Sequence, residues 1–175
     1  MESFLFVLLC IFISVVLIQL VYYILIFSAF SFAKKKKSIS KIVPVSVIVC
    51  AKNEASNVSK YISTLVNQNY PDFEIVLIDD ASSDNTLELF EEFEKKYSCI
   101  KLVKIKNTEA FWGNKKYALT LGIKAATKEY LVFIDADCYP NSLQWLQQIT
   151  AHFTLKKTIV LGYGGYEKIK NSFLN

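Results

Sequence analysis

The chain has 175 residues, with 20 basic and 16 acidic side chains, a net charge of +4, and 53% hydrophobic and 14% aromatic content. That length suits one ordinary domain plus something extra, and the hydrophobic share is too high for a soluble domain unless an apolar segment is set aside first. One histidine and four cysteines exclude a zinc centre, since no C-x-x-C pair exists and ligands are too few.

The apolar segment is at the front. From Ser3 to Ala33 no residue is charged, and about 20 apolar residues suffice to cross a bilayer as a helix. Only Glu2 precedes the run, and the run is too long for the core of a cleaved signal peptide, so residues 1–33 read as an uncleaved membrane helix. KKKKSISK follows, with Lys34, Lys35, Lys36, Lys37 and Lys41 in a basic juxtamembrane linker over 34–43. Lysines on one side of a first helix put that side in the cytoplasm, so the amino terminus is expected outside and the rest inside, in a single-pass arrangement. The run is compact rather than spread over a folded face with interleaved aromatics, so no nucleic-acid partner is expected. Cys50, Cys99 and Cys138 fit reduced thiols of a cytoplasmic domain, and Cys10 lies inside the membrane run.

After Pro44, short β-branched runs alternate with helical ones. VSVIVC (45–50) predicts a strand, and Val58, Ile62, Leu65 and Val66 repeat at the spacing of one helical face over 54–68. EIVLID (74–79) is a second strand. ASSDNT then forms a polar turn rich in capping residues that opens a helix over 87–97. IKLVKI (100–105) is a third strand, and a polar loop leads to a helix at about 114–126. YLVFID (130–135) is a fourth strand. Asn141 or Ser142 is expected to cap a helix over SLQWLQQITAHF, and TIVLG (158–162) reads as a fifth strand. This alternation predicts an α/β fold, an open, mostly parallel sheet with helices on both faces, over residues 44–175.

In such sheets ligands sit outside the carboxyl ends of the strands. Three polar, mainly acidic strand ends are therefore candidates: Cys50 to Glu54, Asp79 to Asp84, and Asp135 to Asp137. Asp84 suits a helix cap, whereas Asp80, at the strand tip, is placed to accept hydrogen bonds from a base or a sugar. Glu54 is also what a helix dipole alone would select. Asp135 and Asp137 are two apart and point to one side of an extended segment. Their mutual repulsion is relieved by a hard divalent cation, Mg²⁺ or Mn²⁺, shared with substrate phosphates. A turn with one carboxylate capping the next helix is the plainer alternative. Lys115 and Lys116 open a helix against its dipole, which either an anionic diphosphate or plain solvation would accommodate. A phospho-acceptor receiver domain is excluded, because the acidic pair follows the second strand rather than the first and no Asp follows the third.

VSVIVCAKNEASNVSKYISTLVNQNYPDFEIVLIDDASSDNT, followed by GNKKYALTLGIKAATKEYLVFIDADCYP, resembles the nucleotide-diphospho-sugar glycosyltransferases of family 2, which share the fold called GT-A. The resemblance covers about residues 44–165. It implies that Cys50, Lys52 and Glu54 line a nucleotide site, that Asp80 meets the base, usually uracil, and that Lys116, with Lys115 beside it, lies near the diphosphate. It further implies that Asp135 serves the nucleotide-sugar and Asp137 chiefly the metal. The implied activity is inverting, metal-dependent transfer from a nucleotide-sugar, a UDP-sugar by expectation, to a glycan or lipid-linked acceptor at the membrane. Relatives carry a catalytic base in an acidic pair well after the D-x-D; no acid follows Glu167 here. The base is thus left unassigned, the domain is expected to be incomplete at its carboxyl end, and a donor-binding module without turnover is the alternative.

Overall fold

The computed structural model describes residues 2–32, 42–106, 115–154 and 159–166. The lysines at 34–41, the loop at 107–114 and Glu167 lie outside the described residues. The chain divides into two compact units, Met1–Lys37 and Ser38–Asn175.

The first unit is helix α1, Glu2–Ser31. Its 30 residues give a length of about 45 Å, more than the roughly 30 Å hydrocarbon core of a bilayer. Glu2–Ala29 is long and apolar enough to cross a membrane.

The second unit runs β1 (Val45–Ala51), α2 (Ala55–Val66), β2 (Phe73–Asp79), α3 (Thr86–Lys96), β3 (Ile100–Lys104), α4 (Lys115–Ala125), β4 (Tyr130–Asp135) and α5 (Trp145–Thr150). The strands form one sheet in the order β3-β2-β1-β4 with every pair parallel. The chain steps outward from β1 to β3, then returns across the sheet to put β4 on the other side of β1. Right-handed crossovers demand that the returning helix cover the opposite face. The packing obeys this rule. Val58, Ile62 and Leu65 of α2, Phe90 of α3 and Leu146 of α5 pack with Val45, Val47, Val49, Ile75 and Leu77 on one face, while Ala118 of α4 packs with Ile48, Val76 and Ile78 on the other. Both faces of β1 and β2 are buried, which explains their unbroken apolar runs.

Helix α4 reaches the sheet through Gly122. A Cβ there would lie 2.3 Å from Ile78 Cδ1 and 3.0 Å from Ile48 Cγ2, so the absent side chain sets how closely α4 approaches the strands. Gln68, buried at the end of α2, donates from Nε2 to the Ser142 carbonyl at 2.9 Å and accepts from the Leu146 amide at 3.1 Å, fixing the segment that follows β4.

Two elements differ from the sequence reading. The last helix is shorter than SLQWLQQITAHF suggests: residues 141–144 form bends and turns, and α5 has six residues. Residues 159–162, read as part of a fifth strand, are in no strand, and Ile159 and Leu161 are 80% and 91% exposed. An apolar run becomes a strand only through pairing with a neighbour, and this one has no ladder partner among the described residues.

Candidate active site

The strand order reverses between β1 and β4, and at their carboxyl ends the register sets Cys50 opposite Asp135. An open crevice at such a reversal is where doubly wound sheets bind ligands. A cleft of about 350 Å³ is found there, lined by Cys50, Lys52, Glu54, Asp80, Lys115, Asp135, Ala136 and Asp137. Seven residues singled out from the sequence thus converge on one cavity from four separate chain segments. Lys116, named by the resemblance as the basic position, does not line it; Lys115 does. Successive helical residues point about 100° apart, so one lysine of the pair faces the cleft.

The loops after β1 and β2 are stitched together. Asn53 and Ala81 both adopt left-handed backbone, with φ of 58° and 53°, a conformation Asn tolerates and Ala pays for. The Asn53 amide donates to Ser82 Oγ at 3.0 Å, and Asn53 Oδ1 accepts from the Ser83 amide at 2.8 Å. Asp84 spans both helices: Oδ2 accepts from the Ala55 amide at 3.1 Å, at the start of α2, and Oδ1 from the Thr86 amide at 3.0 Å, at the start of α3. Thr86 Oγ1 accepts from the Glu54 amide at 2.9 Å. The Thr86 hydroxyl in turn donates to Asp84 Oδ1 at 2.5 Å, and that bond, with those from the Ala55 and Thr86 amides, holds the Asp84 carboxyl below the usual range. Sequence reasoning gave Asp84 a single cap; the tie to α2 joins residues 29 apart and leaves no local signal. The stitched loops hold Lys52, Glu54 and Asp80 in a fixed arrangement, and strain at such loops is commonly kept where a ligand must be met by a preset surface.

Asp80 is 7% exposed, and among the described residues its Oδ1 has no hydrogen-bond partner; Lys52 pairs with it loosely, with Nζ 3.9 Å from Oδ2. A buried, unpaired carboxylate oxygen at a cleft wall is costly unless a donor arrives from a ligand. Asp79, 2% exposed, also has an unpartnered Oδ1, while its Oδ2 accepts from the Ser82 amide at 3.3 Å. Asp79 does not line the cleft.

On the opposite wall, Lys115 Nζ donates to Asp135 Oδ1, and that bond holds the ammonium above its usual pKa. Asp137 is exposed, and its Oδ1 accepts a 3.4 Å contact from Cys138 Sγ. Cys50 sits at the floor. Burial, with Asp80 adding to it, pushes its pKa up to about 11, so at neutral pH it is a neutral thiol and neither a nucleophile nor an anionic ligand. Among the described residues no cluster of three or more His, Cys, Asp or Glu side chains could enclose a metal ion by itself. Two exposed carboxylates, that of Asp135 with its Oδ1 taken by Lys115, would instead suit an ion that completes its shell with ligand oxygens and water, as Mg²⁺ and Mn²⁺ do at phosphates. The ammonium on Asp135 shows that positive charge is accommodated at that position.

Residues 46–173 match the family described as Glycosyl transferase family 2. The cholesterol galactosyltransferase of Borreliella burgdorferi is 40% identical over 93 residues, 53% of this chain and 25% of that protein. Staphylococcus aureus TarS (residues 1–349), solved with UDP-GlcNAc, superposes with a TM-score of 0.53 at 29% identity, covering 62% of this chain and 30% of that one. The mannosyltransferase PcManGT from Pyrobaculum calidifontis, solved with GDP-Man and Mn²⁺, gives 0.62 at 25% identity, covering 75% and 39%. The chain spans well under half the length of curated relatives it matches, 25% of the galactosyltransferase among them. With its parallel sheet, its cleft at the strand reversal and a family match over residues 46–173, the chain belongs to glycosyltransferase family 2, on a GT-A fold.

Proposed function

We infer that this chain is a membrane-anchored, inverting glycosyltransferase that takes a sugar from a UDP-sugar and passes it to a glycan or lipid-linked acceptor. The observation that carries this reading is the convergence of Asp80, Lys115, Asp135 and Asp137 on one cleft. Asp80 offers its unpaired Oδ1 to an N–H of the base, with Lys52 beside it as a donor to a base carbonyl. Lys115, rather than Lys116, meets the diphosphate. Asp135 and Asp137 would hold Mg²⁺ or Mn²⁺, and the bound ion would supply Lewis-acid neutralisation of the leaving nucleoside diphosphate. Helix α1 anchors the domain, with the lysines at 34–41 setting a cytoplasmic placement.

The second reading is a donor-binding module without turnover, whose base comes from elsewhere. One assay separates the two. The full chain in detergent is given UDP-GlcNAc or UDP-glucose with Mn²⁺, and UDP release is followed beside UDP binding. Binding with release is the expected result. Binding without release supports the module, and neither binding nor release overturns the donor site.

A further inference from the structure

Lys115 is bonded to one of the two carboxylates offered to the cation. Its ammonium occupies Asp135 Oδ1. A carboxylate oxygen that accepts from an ammonium has less to give a divalent ion, and a positive charge a few ångströms away repels that ion directly. Both partners are about 60% exposed, so the contact exchanges easily with water and other anions. The lysine stem is long and flexible and can swing to a neighbouring anion without backbone movement. The first turn of α4 carries two lysines and no acid, an arrangement the helix dipole opposes. Asp135 explains one of them in the metal-free protein.

We propose that Lys115 is the resident counter-charge of Asp135, that a divalent cation enters fully only when Lys115 leaves, and that the donor's diphosphate is what draws it away. This rests on the donor-site reading above. Cation and nucleotide then bind synergistically: each removes an obstacle for the other, and the coupling factor is the same seen from either ligand. The cation alone binds weakly, which keeps the cleft from filling with metal in the absence of donor. Lys115 thus has two partners in sequence, Asp135 and then phosphate, and acts on the metal as a positioning residue.

The test is Mn²⁺ binding to the full chain in detergent, read from the electron paramagnetic resonance signal of free Mn²⁺, with and without UDP. Lys115→Met, which keeps the stem and removes the charge, is expected to bind Mn²⁺ alone about 3- to 10-fold more tightly than wild type, while UDP tightens its Mn²⁺ binding less than it does for wild type. Lys116→Met makes the same charge change one residue away and is expected to leave Mn²⁺ affinity within about 2-fold of wild type. The proposal is overturned if Lys115→Met binds Mn²⁺ no better than wild type, if Lys116→Met reproduces the gain, or if neither wild type nor variant binds Mn²⁺. If Lys115→Met gains affinity for Mn²⁺ but UDP changes nothing in wild type, the counter-charge stands and the donor reading falls.

Discussion

Asp137→Ala is expected to lower the affinity for UDP in the presence of Mn²⁺ by about 100-fold or more, because a metal at a diphosphate supplies several kcal/mol of charge stabilisation and about 1.4 kcal/mol is worth a factor of ten. The substitution is clean. Asp137 is exposed, it accepts a long contact from Cys138 Sγ, and among the described residues it caps no helix and belongs to no core cluster. Surface replacements of this kind stay within about 0.5 kcal/mol in stability, so lost binding reports the site and not the fold. Asp135→Ala would be harder to read, since it also releases Lys115. Isothermal calorimetry with UDP and Mn²⁺ measures the effect, and an unchanged affinity would remove Asp137 from the metal role.

Phe90→Ala is expected to cost about 3 to 5 kcal/mol of stability, the loss typical of deleting a fully enclosed aromatic ring. Phe90 is 0% exposed on α3, and the core around it joins α2 and α3 to the β1–β2 face of the sheet. A domain of this size holds about 5 to 15 kcal/mol in all, so the variant would lose about a fifth or more of its margin. The loops that carry Lys52, Glu54 and Asp80 rest on those two helices, which links this packing to the cleft. Urea unfolding of the full chain in detergent, followed by tryptophan fluorescence, gives the difference; a cost under about 1 kcal/mol would mean the core collapses around the gap.

Much of the fold could be read from the sequence because the informative features are local. VSVIVC, EIVLID and YLVFID are short apolar runs that end in polar residues, and Val58, Ile62 and Leu65 recur at helical spacing; each is a strand or helix where expected. The rule that ligands gather at the carboxyl ends of strands singles out Cys50, Asp80, Asp135 and Asp137 from the sequence alone. What escaped depends on the third dimension. TIVLG has a strand's composition, yet residues 159–162 have no ladder partner, which composition does not encode. Lys115 and Lys116 are chemically identical, and only the rotational phase of α4 decides which faces the cleft. The Asp84 tie between two helix starts and the buried, unpaired oxygens of Asp79 and Asp80 arise from contacts across some 30 residues or from burial.

The most direct test of the central claim, that the cleft at the β1–β4 reversal is a metal-assisted nucleotide-sugar site, is a calorimetric titration of the full chain with UDP, once in Mn²⁺ and once in EDTA. Saturable binding in Mn²⁺ that is lost or strongly weakened in EDTA is the predicted result. Binding of equal strength in both, or none in either, would contradict it.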